Sequence, residues 1–75
     1  MGIRELLEVE QHKLQGHNIK FLCRGGHEVV FNQGAHKGWD VADGMVRFLR
    51  GTASGGTEPT VWIGVDDIVA IAMNA

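Results

Sequence analysis

The stretch Val61-Trp62-Ile63-Gly64-Val65-Asp66-Asp67-Ile68-Val69-Ala70-Ile71 constrains the fold more than any other part of this chain. Two short apolar runs flank a Gly-Val-Asp-Asp turn, and the second run continues to Met73 without a polar side chain. A strand with one face in water alternates apolar and polar residues. This one does not, so both of its faces are expected to leave water. A chain of 75 residues has little interior with which to cover them. Domains of this size bury only about 60% of their unfolded surface and often lean on a disulfide, a metal or a partner. The single cysteine, Cys23, excludes an internal disulfide and a thiolate metal cluster. A second copy of the same chain is the simplest remaining cover.

The rest of the chain reads as one domain, residues 1–75. Residues 2–14 carry Ile3, Leu6 and Leu7 at helical spacing, with Leu14 on a compatible face, and Gly16 stands where a helix would end. From Asn18 the period shortens. Ile19, Phe21 and Cys23 alternate with Lys20 and Arg24, which predicts a strand over 18–24, and Gly25-Gly26 predicts a hairpin turn. A second strand is expected over 28–38, bent where Gly34 and Gly38 interrupt it. Asp43-Gly44 is a tight-turn pair leading into a third strand over 45–50. Gly51 to Pro59 reads as a flexible loop, and 60–63 and 67–73 as the last two strands. The fold class is therefore mainly β: an N-terminal helix followed by five short antiparallel strands, closed into a small, strongly bent barrel that leaves few edges exposed.

This order of parts resembles the Sm-like (LSm/Hfq-type) family of ring-forming RNA-associated proteins. Gly16-His17-Asn18-Ile19-Lys20-Phe21-Leu22-Cys23-Arg24-Gly25-Gly26-His27-Glu28-Val29 resembles the first half of the family's first motif. Gly38-Trp39-Asp40-Val41-Ala42-Asp43-Gly44-Met45-Val46 resembles its second half, and Ile63-Gly64-Val65-Asp66-Asp67-Ile68-Val69-Ala70-Ile71 the apolar frame of the second motif. The resemblance covers residues 3–73. It implies a bent SH3-like barrel and a homo-oligomeric ring, of about five to seven copies, in which the fourth strand of one copy pairs with the fifth of the next. On that reading Val61, Trp62, Ile63, Ile68, Val69, Ala70 and Ile71 form the subunit interface.

The resemblance also implies a binding site for single-stranded RNA at the two loops that face the pore. Its candidates here are Trp39, Asp40, Asp43, Gly44, Gly64, Val65 and Asp66. Asp40 matches the family's supporting aspartate. The position of the family's arginine, which holds the base, falls on Gly64 or, if Gly64 is aligned with the glycine that follows that arginine, on Ile63, and either way the guanidinium is absent. Trp39 reads first as a core tryptophan and second as a stacking platform. Trp62 likewise reads first as core or subunit contact. Two aspartate pairs, Asp40 with Asp43 and Asp66 with Asp67, would make an acidic rim if the two loops meet, or serve as ordinary turn residues.

Other functions find less support. The net charge is −2 with histidines neutral, which argues against a strong non-specific grip on nucleic acid. Lys37, Arg47 and Arg50 make a local basic cluster whose ordinary reading is solvated charge. His17, His27 and His36, nine or ten residues apart, are a zinc alternative weaker than three exposed turn histidines. The only serine, Ser54, lies in a glycine-rich loop, and that loop lacks the lysine and helix start of a phosphate loop. No enzyme, cofactor or metal is expected. No apolar run approaches the roughly 20 residues of a membrane span, and the N-terminus lacks a signal-peptide pattern, so a cytosolic bacterial or phage protein without a membrane partner is expected. The expected function is non-catalytic binding of single-stranded RNA by a ring. The alternative is a structural or protein-interaction ring that has lost the RNA pocket.

Overall fold

The computed structural model describes residues 2–74, with the side chain of Asn74 excepted, so Met1 and Ala75 of the expected domain lie outside the described residues. A short helix, α1 (Ile3–Glu8), and a 3-10 turn (Gln11–Lys13) precede six strands: β1 (Asn18–Cys23), β2 (Glu28–Phe31), β3 (Gly38–Ala42), β4 (Met45–Gly51), β5 (Thr57–Gly64) and β6 (Ile68–Asn74). They form two antiparallel three-stranded sheets, ordered β2–β1–β6 and β3–β4–β5. No ladder joins the two sheets into a closed barrel among the described residues.

Strand alternation builds the core. In β1 the residues Ile19, Phe21 and Cys23 are buried and their neighbours are not. In β4 the buried pair is Val46 and Phe48. Phe21 of the first sheet meets Phe48 of the second at 5.8 Å between ring centroids, and meets Trp39 edge-on at 5.9 Å. Phe31 reaches Phe48 in a T-shaped contact at 5.2 Å. Aromatic pairs in such geometries contribute about 0.5–1.5 kcal/mol beyond the area they bury. Leu7 of α1 and Leu14 close the core at the helical end.

Three boundaries differ from the sequence pattern. The helix predicted over 2–14 is α-helical only to Glu8, because Glu10 leaves helical geometry and the 3-10 turn swings Leu14 inward. An isolated helix this short is marginal in water and forms where packing holds it. The strand predicted over 28–38 ends at Phe31, and β3, which starts at Gly38 and runs to Ala42, is a sixth strand that the pattern does not predict. Asn32 ends β2: its side-chain Oδ1 accepts from the Gly34 N–H at 2.7 Å, and its carbonyl accepts from Ala35 and His36. Those bonds replace ladder bonds, as local asparagine turns do. The loop predicted over 51–59 shrinks to 52–56, where the Thr52 hydroxyl and backbone close the turn onto Gly56.

The Asp43-Gly44 turn is as the sequence predicts. Ala42 pairs with Met45, and both turn residues have positive φ, 54° and 72°, as a two-residue hairpin requires.

Phe48 touches Phe21, Phe31 and His36 at once, so Phe48→Ala should cost about 3–5 kcal/mol, a large share of what a domain this small holds. Far-ultraviolet circular dichroism during a urea titration should show the variant largely unfolded at concentrations where the parent chain stays folded. A midpoint unchanged from the parent would contradict this account of the core.

Candidate nucleic-acid interface

The two loops named at sequence level do meet. β4 and β5 pair Met45 with Gly64, and the Val65 N–H donates to the Gly44 carbonyl at 2.9 Å. This sets the 43–44 turn beside the 3-10 turn Val65–Asp67.

The candidates do not all reach that surface. Trp39 and Val65 are buried in the core, which removes Trp39 as a stacking platform and Val65 as a contact residue. Asp43 and Asp66 are exposed, and Asp40, Gly44 and Gly64 are half-buried. A Cβ built on Gly64 would stand 3.1 Å from Asp67 Oδ2. A side chain at 64 would therefore press against the Asp67 carboxylate.

Asp40 is not a free acid on this rim. Arg47 Nε donates to its Oδ1 at 2.8 Å and Arg47 Nη2 to its Oδ2 at 2.5 Å, a two-pronged pairing across β3 and β4. Hydrogen bonding to Asp40, first of all, holds the Arg47 guanidinium above its ordinary pKa. On the other side Arg47 pairs in register with Trp62 of β5, which is 55% exposed. Asp40, Arg47 and Trp62 thus form one row across the outer face of the second sheet. A fixed guanidinium beside an open indole offers a planar cation and an aromatic face, the two surfaces on which nucleobases stack.

The acidic turn is similarly engaged. Arg4 of α1 donates through Nη2 to Asp66 Oδ1 at 2.5 Å and through Nη1 to Glu8, and Arg24 Nε donates to the Asp66 carbonyl at 3.2 Å. The Asp66 bond is the foremost cause of the raised Arg4 pKa. Both side chains are exposed, so the pair positions the turn more than it stabilises the fold. The expected acidic rim is thus partly neutralised, leaving Asp43 and Asp67.

Arg47 lay inside a cluster that the sequence pattern treats as solvated charge. The signal that finds it is the Asp43-Gly44 turn, because residues equidistant from a two-residue hairpin turn pair across it. The interface candidates also divide. Ile63 and Ile68 belong to the core of their own chain and are corrected to core residues, whereas Trp62, Val69 and Ala70 are exposed and Val61 and Ile71 are half-buried. Among the described residues no three His, Cys, Asp or Glu side chains form a metal-binding group, so His17, His27 and His36 do not converge. No helix is long and apolar enough to cross a membrane. Compared with protein-family models, with curated proteins and with solved structures, the chain finds no match.

Cys23 lies under this surface. Burial, with Asp67 adding to it, pushes its thiol pKa up. A raised pKa leaves less thiolate at any given pH, and the thiolate is the reactive form. The native protein should therefore react with a disulfide reagent at pH 8 at least about tenfold more slowly than the guanidinium-unfolded chain. Equal rates, followed by absorbance, would show an open Cys23.

Proposed function

We propose that this chain is an Sm-like subunit that assembles into a homo-oligomeric ring and binds single-stranded RNA without catalysis. The observation that carries the reading is that β5 and β6 are each an edge strand of their sheet, as β2 and β3 are at the opposite edges. If β2 and β3 are taken as halves of one bent strand, the chain has five strands, and the open edges belong to the fourth and fifth. Apolar side chains stand on both: Trp62 on β5, and Val69 and Met73, each 51% exposed, on β6. Unpaired edges are templates for pairing with another chain. Head-to-tail pairing of a β5 edge with the next copy's β6 edge leaves no open edge only when the ring closes. Pro59, which lacks an N–H, sits within β5, as prolines in sheets do at edge strands.

In such a ring the 43–44 and 65–67 turns of every copy face one region, and the Asp40–Arg47–Trp62 row supplies its cation and its stacking surface. A second reading, a ring that holds protein and no RNA, is favoured by the engagement of Arg47 with Asp40 and Arg4 with Asp66, and by the lack of an arginine at 63 or 64.

Native mass spectrometry should give one closed multiple of the 8.2 kDa chain. Val69→Lys, which places a charge on the β6 edge and leaves the core residues Ile63 and Ile68 alone, should shift that mass to the monomer. A monomeric parent would sink the ring. RNA binding is read separately, by titrating U-rich and A-rich oligonucleotides at several salt concentrations. Affinity should fall as salt rises. A stable ring that binds neither oligonucleotide at low salt would leave the protein-interaction reading.

A further inference from the structure

We infer that the cleft between the 32–37 turn and the end of β4 is a phosphate-binding site, formed by Lys37 and Arg50 over a floor made by His36. This inference rests in part on the RNA reading above, which supplies one source of the phosphate.

The cleft holds about 270 Å³ and is lined by Gln33, Gly34, His36, Lys37, Arg50 and Gly51, among others. It lies apart from the 43–44 and 65–67 turns. Its walls are small and its charged groups are cationic. Arg50 Nη2 donates to Glu58 Oε1 at 3.3 Å. That single bond leaves most of the Arg50 guanidinium donors for another partner.

Lys37 is the more telling residue. The chain has seven lysines and arginines. Six of them are engaged: Arg4, Lys13, Lys20, Arg47 and Arg50 with carboxylates, and Arg24 with the Asp66 carbonyl. Lys37 has no hydrogen bond or ion pair from its ammonium to any described residue. In an acidic chain that otherwise pairs its cations, the unpaired one stands in a cleft beside a second cation.

The site is also preformed. The Lys37 N–H donates to the Leu49 carbonyl at 2.8 Å, and the Gln33 N–H to Asn18 Oδ1 at 2.9 Å, which ties the turn to both sheets. The His36 ring stacks on Phe31 at 5.7 Å and meets Phe48 edge-on at 5.3 Å, so the floor is continuous with the aromatic core. The Lys37 stem lies on Gly51, where a Cβ would come within 3.0 Å of Lys37 Cε. Alanine at 51 would press on the Lys37 stem and shift it by a few tenths of an ångström without altering charge. A compact anion with several acceptor oxygens, held by an ammonium and a guanidinium, is the ligand this arrangement fits.

The test is a set of amide NMR titrations at low salt with inorganic phosphate, AMP, and six-nucleotide U and A oligomers, using the parent chain, Lys37→Ala and Gly51→Ala. Shifts centred on residues 33–37 and 50–51, lost in Lys37→Ala and weakened in Gly51→Ala, support the site. If an oligomer supplies the phosphate, Lys37→Ala should bind it about fivefold more weakly at 0.1 M salt, with a salt slope shallower by about 0.7. If phosphate or AMP produces the shifts and the oligomers do not, the site stands and the RNA reading fails. Oligomers that bind elsewhere, with Lys37→Ala indistinguishable from the parent, overturn the site while sparing the RNA reading. Absence of shifts at 33–37 and 50–51 with every probe also overturns it.

Discussion

The contact of Phe48 with Phe21 and Phe31 is the interaction on which the other features of this chain depend. The two sheets share no ladder, so strand-to-strand hydrogen bonding does not join them among the described residues. What joins them is a row of aromatic rings: Phe21 and Phe31 from one sheet, Trp39 and Phe48 from the other, with His36 inserted from the turn between. Large rings suit this task because each spans the gap between the sheets, about 10 Å in face-to-face packing.

The cluster also explains why the second strand breaks where it does. A strand running unbroken from Glu28 to Ala42 would keep Phe31 and Trp39 on one face in strict alternation and far apart along its length. Asn32 instead folds the chain over itself for six residues, and Phe31, His36 and Trp39 all turn into one core. The break is thus a means of bringing three rings together. The same turn leaves the cleft beside Lys37 as the outer side of that packing.

Much of this was legible in the chain. The alternation of Ile19, Phe21 and Cys23 and the tight turn at Asp43-Gly44 each follow from local periodicity or turn chemistry, which act over a few residues. Expectations failed where a distant partner decides the outcome. Asn32 ends a strand because its side chain and carbonyl reach the next turn, a competition that periodicity does not register. Ile63 and Ile68 resemble Val69 and Ala70 in sequence, yet the first two are core and the latter exposed. A bulge between Leu22 and Cys23 resets which side of β6 faces inward. Arg47 was visible as a charge but not as Asp40's partner until the hairpin register was known.

The pattern of ion pairing bears most directly on function. Exposed pairs add little stability, so the near-complete pairing of cations in this chain is better understood through its effect on the field outside. Each pair turns a charge into a short dipole whose field falls off quickly, and the surface as a whole exerts little long-range pull on a polyanion. Selective recognition under those conditions must come from contact: a guanidinium held in register by Asp40 beside an open indole, or an ammonium left unpaired in a cleft. A surface of this kind would bind an anionic strand only where its groups meet those few points. Its mildly negative balance would then suppress non-specific association and leave the specific contacts in place.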